Sequence, residues 1–241
     1  MTDKKRADVV LAERGLCESS EKAQAAIMAG LVFRGEKRVE KAIASFHADL
    51  KDRVCMDIGC ATGGFTDVCL KNGARHVYAI DVGYGQFDWN LRQDPRVTLM
   101  ERTNARTLTP EMVPLHPTVT VMDVSFISIR LILPVAASIM GEEGVFYTLV
   151  KPQFEAGRGK VGKNGVVRDS AVHEEVLRNL VDFAPTIGWQ VKALDYSPIT
   201  GPKGNMEFLA EIRPGNGEKG DCTESVIHQL VREAHASLKK E

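Results

Sequence analysis

Residues 54–65 read Val-Cys-Met-Asp-Ile-Gly-Cys-Ala-Thr-Gly-Gly-Phe, a short apolar run followed by a glycine-rich turn. This order predicts a buried strand, a turn and the start of a helix. Glycines allow the backbone to approach a ligand closely, and a helix N-terminus presents free N–H groups to that ligand. The glycine spacing is not that of the dinucleotide fingerprint GxGxxG, and Asp57 beside the turn would repel a pyrophosphate. The stretch therefore favours a ligand that carries positive charge.

From Lys51 onward, strand-like runs alternate with helical stretches. Such alternation implies βαβ units and a mainly parallel sheet. The predicted strands are Arg53–Asp57, His76–Asp81, Val97–Glu101, Val119–Asp123, Val145–Lys151, Gln190–Tyr196 and Glu207–Arg213. The predicted helices are Phe65–Asn72, Phe87–Gln93, Ile127–Met140, Ala171–Ile187 and Thr223–Lys240. Seven strands of which the last two are joined by a loop predict an α/β fold with a Rossmann-like sheet of the methyltransferase type.

The first two predicted strands each carry an acidic residue near the carboxyl end. Asp57 lies on the first strand, and Asp81 closes the second, where a carboxylate commonly binds ribose hydroxyls. Many Rossmann-like domains share a glycine turn, whereas the pair of acids favours S-adenosylmethionine (SAM) as the cofactor. The alternative is that both acids only cap loops. We predict that SAM binds at Gly59–Phe65 with Asp81 on its ribose.

Three more polar segments, 121–128, 149–157 and 204–208, lie at predicted strand ends. In an open α/β sheet, ligands bind beyond the carboxyl ends of the parallel strands, so Asp123 and Lys151 are expected to converge. Glu207 reaches the same edge only if its strand runs antiparallel. A lysine between carboxylates suits the attack of a ribose hydroxyl on a sulfonium methyl group, because an amine can take the hydroxyl proton. The alternative is a structural salt bridge.

The chain resembles the hemolysin-A-like (TlyA) family of ribosomal RNA 2′-O-methyltransferases, which carry an FtsJ-like catalytic domain. The resemblance covers nearly the whole chain, and the matching segments are 57–67, 81–86, 101–104, 123–128, 151–157, 165–169 and 197–199. The resemblance implies SAM-dependent methylation of ribose at cytidines, with ribosomal RNA or ribosomal subunits as the partner. The predicted cofactor-binding residues are Asp57, Gly59, Thr62, Gly63, Gly64, Phe65, Asp81, Val82, Asn104 and Asp123.

The catalytic residues of that family form a Lys-Asp-Lys-Glu tetrad, whose last three members match Asp123, Lys151 and Glu207. The first lysine belongs to a leader, Ser-Arg-Gly-Gly-x-Lys-Leu, to which residues 34–42 are only partly similar. An ungapped match places Arg38 at the position of the lysine, and a shift by one residue places Lys37 there. We predict Lys37, because an arginine cannot give up a proton to serve as a base.

The N-terminal region resembles the first half of the small S-four-type RNA-binding domain and is expected to form two short helices. The family continues with a β-hairpin and a linker, whereas Phe33 runs straight into the leader. Either the RNA-binding arm is short, or part of it is missing from the sequence. The predicted organisation is a partial, helical RNA-binding appendage at 1–33, a leader at 34–49, the methyltransferase domain at 50–214 and a helical tail at 215–241.

The net charge of −1 does not indicate a nucleic-acid-binding protein, so contact with RNA must depend on local patches. Residues 151–168 contain five basic side chains and one acid. We predict that the loop from Gly157 to Arg168 contacts RNA phosphates. The alternative is a charged loop that is merely solvated.

Other classes of protein find less support. The five cysteines form no CxxC pair and the histidines have no ligand spacing, so we expect no metal site and no disulfide framework. The chain lacks an unbroken apolar run of about 18 residues and an apolar signal segment, which predicts a cytoplasmic protein without membrane contact. The competing hypotheses are a catalytically impaired RNA-binding or ribosome-assembly factor, a membrane-lysing hemolysin and a Rossmann oxidoreductase.

Overall fold

The computed structural model describes residues 9, 19–21, 36–201, 203–217 and 220–238. Nearly all of the two helices that we predict within the first thirty residues therefore lies outside the described residues. The partial RNA-binding region at 1–33 stays a prediction.

Seven strands form one sheet in the order β3-β2-β1-β4-β5-β7-β6. The strands are β1 (Val54–Ile58), β2 (His76–Ile80), β3 (Val97–Met100), β4 (Val119–Met122), β5 (Val145–Val150), β6 (Trp189–Tyr196) and β7 (Phe208–Pro214). The first five run parallel to their neighbours, whereas β7 is antiparallel to both β5 and β6. All seven predicted strands are confirmed to within one residue at each end. The antiparallel direction of β7, which Glu207 needs to reach the site, is confirmed as well.

The α-helices of the described residues are α1 (Glu36–Ser45), α2 (Gly64–Lys71), α3 (Trp89–Gln93), α4 (Leu133–Met140), α5 (Pro152–Glu155), α6 (Ser170–Phe183) and α7 (Glu224–Leu238). The five predicted helices are confirmed in position. The sequence patterns predict no helix in the leader at 34–49, whereas α1 occupies most of it.

Three helices are shorter than predicted, and the local sequence explains each difference. α3 begins after Asp88, whose side chain caps it by accepting two backbone N–H hydrogen bonds. Pro134 lies in the first turn of α4, where its missing N–H group is tolerated, and a separate 3₁₀ turn, Ile129–Leu131, precedes it. Pro185 lies in the 3₁₀ turn Ala184–Ile187 that follows α6.

The sheet is covered by helices on both faces. Met56 and Ile58 of β1 pack in a core with residues of α4, α6 and α7, whereas Cys55 packs in a second core with residues of α1 and α2. All residues of β1 are buried, as expected for a central strand of a parallel sheet. Because helices cover both faces of the sheet, a ligand can reach the strands only at their ends. The carboxyl ends of β1, β2, β4 and β5 therefore form the candidate site.

Candidate active site

The turn after β1 requires glycine at two positions. Gly59 has a φ of +84°, and a Cβ atom there would lie 2.6 Å from the carbonyl oxygen of Asp123. Gly63 has a φ of +96°, and a Cβ atom there would lie 2.5 Å from a methyl carbon of Leu91. Both conditions exclude a larger side chain. The turn can therefore lie close against β4, and α2 begins directly after it at Gly64.

A cavity of about 370 Å³ lies beside this turn, at the carboxyl ends of β1, β2 and β4. Half of the predicted cofactor-binding residues line it: Gly59, Asp81, Val82, Asn104 and Asp123. Residues that we did not predict also line it, among them Ala61, Gln86, Thr103, Ser125, Phe126 and Ile127. The predicted residues Thr62, Gly63, Gly64 and Phe65 shape the turn and the start of α2 without forming the cavity wall, and Phe65 packs in the core.

Asp81 is held in place at the end of β2 by the backbone. Its Oδ2 atom accepts a hydrogen bond of 2.9 Å from the N–H of Ala61, and its Oδ1 atom accepts one of 2.6 Å from the N–H of Gly83. The carboxylate faces a cavity whose wall also includes apolar side chains and Asn104, which lies in the turn after β3. A carboxylate beside an apolar slot and a glycine turn fits the ribose, the base and the cationic sulfur of SAM.

Asp57 lies beneath the turn and not in the cavity wall. Its side chain is fully buried, and its Oδ2 atom accepts a hydrogen bond of 2.7 Å from the hydroxyl of Thr66. Its Oδ1 atom is buried without a hydrogen-bond partner among the described residues. Burial raises the pKa of Asp57 to about 7, against the opposing effect of the Thr66 hydrogen bond.

Four charged side chains from separate parts of the chain meet at the far side of Asp123. Lys151 Nζ forms an ion pair with Asp123 Oδ1 and donates a hydrogen bond of 3.1 Å to the hydroxyl of Ser125. The guanidinium of Arg38 lies 2.9 Å from Glu207 Oε2 and 3.5 Å from Asp123 Oδ2. Two cations thus share two carboxylates, and the cluster as a whole is neutral.

The structure brings Arg38, and not the predicted Lys37, to these carboxylates. Lys37 is exposed, whereas the Arg38 side chain is only 11% exposed. The two residues are neighbours on α1 and point in different directions, because successive helical residues are about 100° apart. The preference for Lys37 is therefore corrected: the ungapped match to the family leader identifies the residue in the cluster. Asp123, Lys151 and Glu207 converge as predicted.

Glu207 is nearly inaccessible to solvent. Burial raises the pKa of Glu207, and the positive charges of Arg38 and Lys151 oppose this rise. The side chain of Gln153 also hydrogen-bonds Glu207. Gly201 lies so close that a Cβ atom there would be 2.6 Å from Glu207 Oε1. The carboxyl group therefore has one well-defined position beside Arg38.

Phe126 forms an aromatic surface at the mouth of the cavity. Its side chain is 91% exposed, and its backbone has a φ of +65°, which is uncommon for a bulky residue. The ring lies 5.1 Å from that of Phe154, measured between centroids. The sequence does offer a signal for this residue, since an aromatic side chain directly follows Asp123 and Ser125 at a predicted strand end.

The predicted RNA-binding loop lies next to the charged cluster and is attached at two points. The side chain of Asn205 accepts a hydrogen bond of 3.0 Å from Val167 N and donates one of 2.9 Å to the carbonyl of Gly165. Lys160 pairs with Glu175 of α6. Asn205 lies two residues before Glu207 and therefore anchors one end of this basic loop close to the charged cluster.

Two further expectations concern metals and membranes. In the part of the chain that the structure describes, no group of three or more His, Cys, Asp or Glu side chains could hold a metal ion. Among the same residues, no helix is long and apolar enough to cross a membrane.

The sheet order, the cavity after β1, the acid near the end of β1 and the acid after β2 define the class of SAM-dependent methyltransferases. The chain belongs to the FtsJ-like methyltransferase family, whose family model matches residues 32–213. It is thus a methyltransferase, and its methyl donor is SAM. The resemblance stated from the motifs is confirmed, and the oxidoreductase alternative finds no support.

Three relatives show how much of the chain this similarity covers. A Bacillus subtilis protein named "Putative rRNA methyltransferase YqxC" is 46% identical, with 100% of this chain and 98% of the relative aligned. The 16S/23S rRNA (cytidine-2′-O)-methyltransferase TlyA of Mycobacterium tuberculosis is 40% identical over 84% of this chain and 76% of its own. A solved structure named "Putative hemolysin" from Streptococcus thermophilus is 42% identical and superposes with a TM-score of 0.84 over 98% of this chain and 97% of its own.

The alignment with YqxC runs over 274 residues, although this chain has 241. YqxC therefore carries segments without a counterpart here. This difference agrees with both readings of the N-terminal region, a short RNA-binding arm or a missing stretch.

Proposed function

We propose that this methyltransferase acts on ribosomal RNA and methylates the 2′-hydroxyl of a cytidine ribose. One observation carries the proposal: Asp123 lines the cofactor cavity and also pairs with the buried Lys151. A methyl donor and a proton acceptor can therefore approach one hydroxyl from adjoining positions. The names of YqxC and TlyA, both rRNA methyltransferases, support the class of substrate. Ribosomal RNA and ribosomal subunits would place the enzyme in the cytoplasm.

Lys151 is the group that we propose takes the hydroxyl proton. When bound, SAM supplies the methyl group as an electrophile. As the ribose oxygen gains the methyl group from sulfur, its proton passes to Nζ of Lys151, and Asp123 holds the resulting ammonium. General base catalysis of this kind contributes about 10²–10⁴-fold. Lysine accepts a proton only in its neutral form, so the transfer requires that Lys151 be neutral when the hydroxyl arrives.

Arg38 has a different part in this proposal. A guanidinium stays protonated, so Arg38 positions Glu207 and Asp123 and does not move a proton. Its fork of N–H donors suits a bridge between two carboxylates better than a lysine would.

The substrate would meet an aromatic and a basic surface. The exposed ring of Phe126, supported by Phe154, offers a face on which a nucleobase can stack. Lys160 and Lys163 lie on the loop beside the cluster and can contact phosphates. Stacking and phosphate contacts together would hold a target nucleotide with its ribose toward Lys151.

Arg38 also supports a second candidate function. If the reaction needs a lysine at this position, the chain is a catalytically impaired RNA-binding or ribosome-assembly factor that retains the methyltransferase fold.

Transfer of labelled methyl groups separates the two candidates. The protein is incubated with SAM labelled in the methyl group and with ribosomal RNA or either ribosomal subunit from cells that lack the enzyme. We expect label in RNA, at a linkage that resists alkaline cleavage. Lys151→Ala should abolish labelling, whereas Lys192→Ala, a change on β6 away from the cluster, should not. Binding of SAM and RNA without transfer of label would establish the second candidate.

A further inference from the structure

The polar side of α1 carries a second contact besides Arg38. Lys41 follows Arg38 by three residues and therefore lies on the same side of the helix, one turn further along. Its Nζ atom lies 2.9 Å from Asp195 Oδ1 and 2.5 Å from the carbonyl oxygen of Tyr196. The same ammonium lies 3.8 Å from the centroid of the Tyr196 ring. Lys41 is thus held by three groups at the end of β6.

The side chain of Asp195 accepts three hydrogen bonds. Its Oδ1 atom accepts the Tyr196 N–H at 2.7 Å in addition to Lys41, and its Oδ2 atom accepts the hydroxyl of Ser45 at 2.7 Å. Ser45 is the last residue of α1, so two turns of the helix are attached to one carboxylate. The Asp195 side chain is only 19% exposed, which leaves water little access to compete.

This attachment point is joined to the strand that leads to Glu207. Asp195 and Tyr196 pair in register with the first residues of β7. In addition, the N–H of Ser197 donates a hydrogen bond of 2.8 Å to the carbonyl of Glu207. The anchor of α1 and the carboxylate that Arg38 contacts therefore belong to one rigid pair of strands.

The adjoining side of α1 is apolar: Val39 and Ala42 of the helix, and Phe46 directly after it, are buried in the core. Apolar contacts hold a helix on a sheet, but they are not directional and set its rotation and sliding only loosely. The ion pair of Lys41 with Asp195, together with the hydrogen bond from Ser45, is directional and restricts both the rotation and the sliding of α1. A small rotation of α1 would withdraw the guanidinium of Arg38 from Asp123, since that contact is already 3.5 Å long.

We propose that Lys41 and Asp195 are positioning residues, which hold α1 in the register that places Arg38 between Glu207 and Asp123. The inference rests on the proposed function, since it assigns Arg38 a part in methyl transfer. Neither residue lines the cofactor cavity. Loss of the pair should therefore slow the chemical step and leave cofactor affinity unchanged.

A double-mutant cycle tests whether Lys41 acts through Arg38. Single-turnover methyl transfer at saturating SAM is measured for the wild type, Lys41→Met, Arg38→Met and the double variant. A displacement of a catalytic-site group by about 1 Å can lower the reaction rate roughly 100-fold. We therefore expect Lys41→Met, through the displacement of Arg38, to slow methyl transfer about 10–100-fold. In the Arg38→Met background the same change should have no further effect. Lys192→Met, which removes a surface ion pair from β6, is the matched control and should keep the wild-type rate.

Two further measurements guard against a loss of folding. Asp195→Asn and Ser45→Ala each remove part of the attachment, and their slower rates should also disappear in the Arg38→Met background. The positive charge of Arg38 limits the rise in the pKa of Glu207 that burial causes. If Lys41→Met withdraws Arg38, the pKa of Glu207 should rise further, and the acid limb of the pH–rate profile should move to higher pH.

The outcomes separate the inference from the function on which it rests. A wild-type enzyme that transfers no methyl group refutes the proposed function. An active wild type in which the effects of Lys41→Met and Arg38→Met multiply overturns the inference alone. The inference also fails if Arg38→Met leaves the rate unchanged.

Discussion

Asp57→Asn should abolish an unusual pH-dependent contribution to folding stability. Burial raises the pKa of Asp57 from 3.8 to about 7 in the folded protein. Between these two values the unfolded chain has lost the proton and the folded protein keeps it. The free energy of unfolding therefore falls as the pH rises from about 4 to 7, and this contribution is constant above pH 7. A difference of about three pKa units corresponds to about 4 kcal/mol.

The asparagine variant has no proton to lose at this position. Relative to the wild type, its free energy of unfolding should therefore rise by about 4 kcal/mol between pH 4 and pH 8. The comparison does not depend on the cost of the amide group, which is the same at every pH. Because the groups other than Asp57 are common to both proteins, their titrations largely cancel.

Urea unfolding of the cofactor-free protein, followed by circular dichroism at several pH values, measures this difference. Asp67→Asn is a matched control on the adjoining helix, since Asp67 is partly exposed and pairs with Lys71. For the control we expect a change of less than about 1 kcal/mol over the same range. A difference between Asp57→Asn and the wild type that stays constant with pH would refute the raised pKa.

The same substitution should weaken the binding of SAM. Asp57, Asp81 and Asp123 interact electrostatically around the turn, where their combined negative charge favours a cationic ligand. Above pH 7, where Asp57 is ionised, Asp57→Asn removes one of the three charges. A carboxylate whose ionisation lowers folding stability while its charge favours the ligand is the pattern expected when a residue is kept for function at the expense of folding.

Three other predictions concern cofactor, substrate and chemistry. Asp81→Ala should weaken SAM binding by about 1–3 kcal/mol in calorimetry, because polar partners are left unpaired; unchanged affinity would contradict the assignment of Asp81 to the ribose. Neutralising Lys160 and Lys163 together should lower RNA affinity and flatten its dependence on salt, with cofactor affinity unchanged; an unaltered salt slope would identify the loop as solvated surface. Lys151→Arg should abolish methyl transfer in single-turnover assays while SAM still binds, since arginine keeps the charge but cannot accept the proton. Near-normal rates for that variant would place the base elsewhere.

Local sequence was sufficient for much of the fold. Apolar runs of strand length, separated by glycine turns and helical stretches, predicted all seven strands. The signal is strongest for the central parallel strands, which are buried and must be apolar on both faces. The strand ends also predicted where Asp81, Asp123 and Lys151 lie, since side chains at the carboxyl ends of parallel strands share one edge. These features depend on short-range patterns, which the chain carries in consecutive residues.

The remaining features depend on contacts between distant parts of the chain. Lys37 and Arg38 are adjacent in sequence and both basic, so only the packing of α1 on the sheet decides that Arg38 reaches Glu207 and Lys37 faces solvent. The raised pKa of Asp57 likewise follows from complete burial, which no local pattern reveals. The sequence by itself determined the sheet and the family. The tertiary structure alone decided which cation completes the charged cluster, because the rotation of a helix is set by the surface against which it packs.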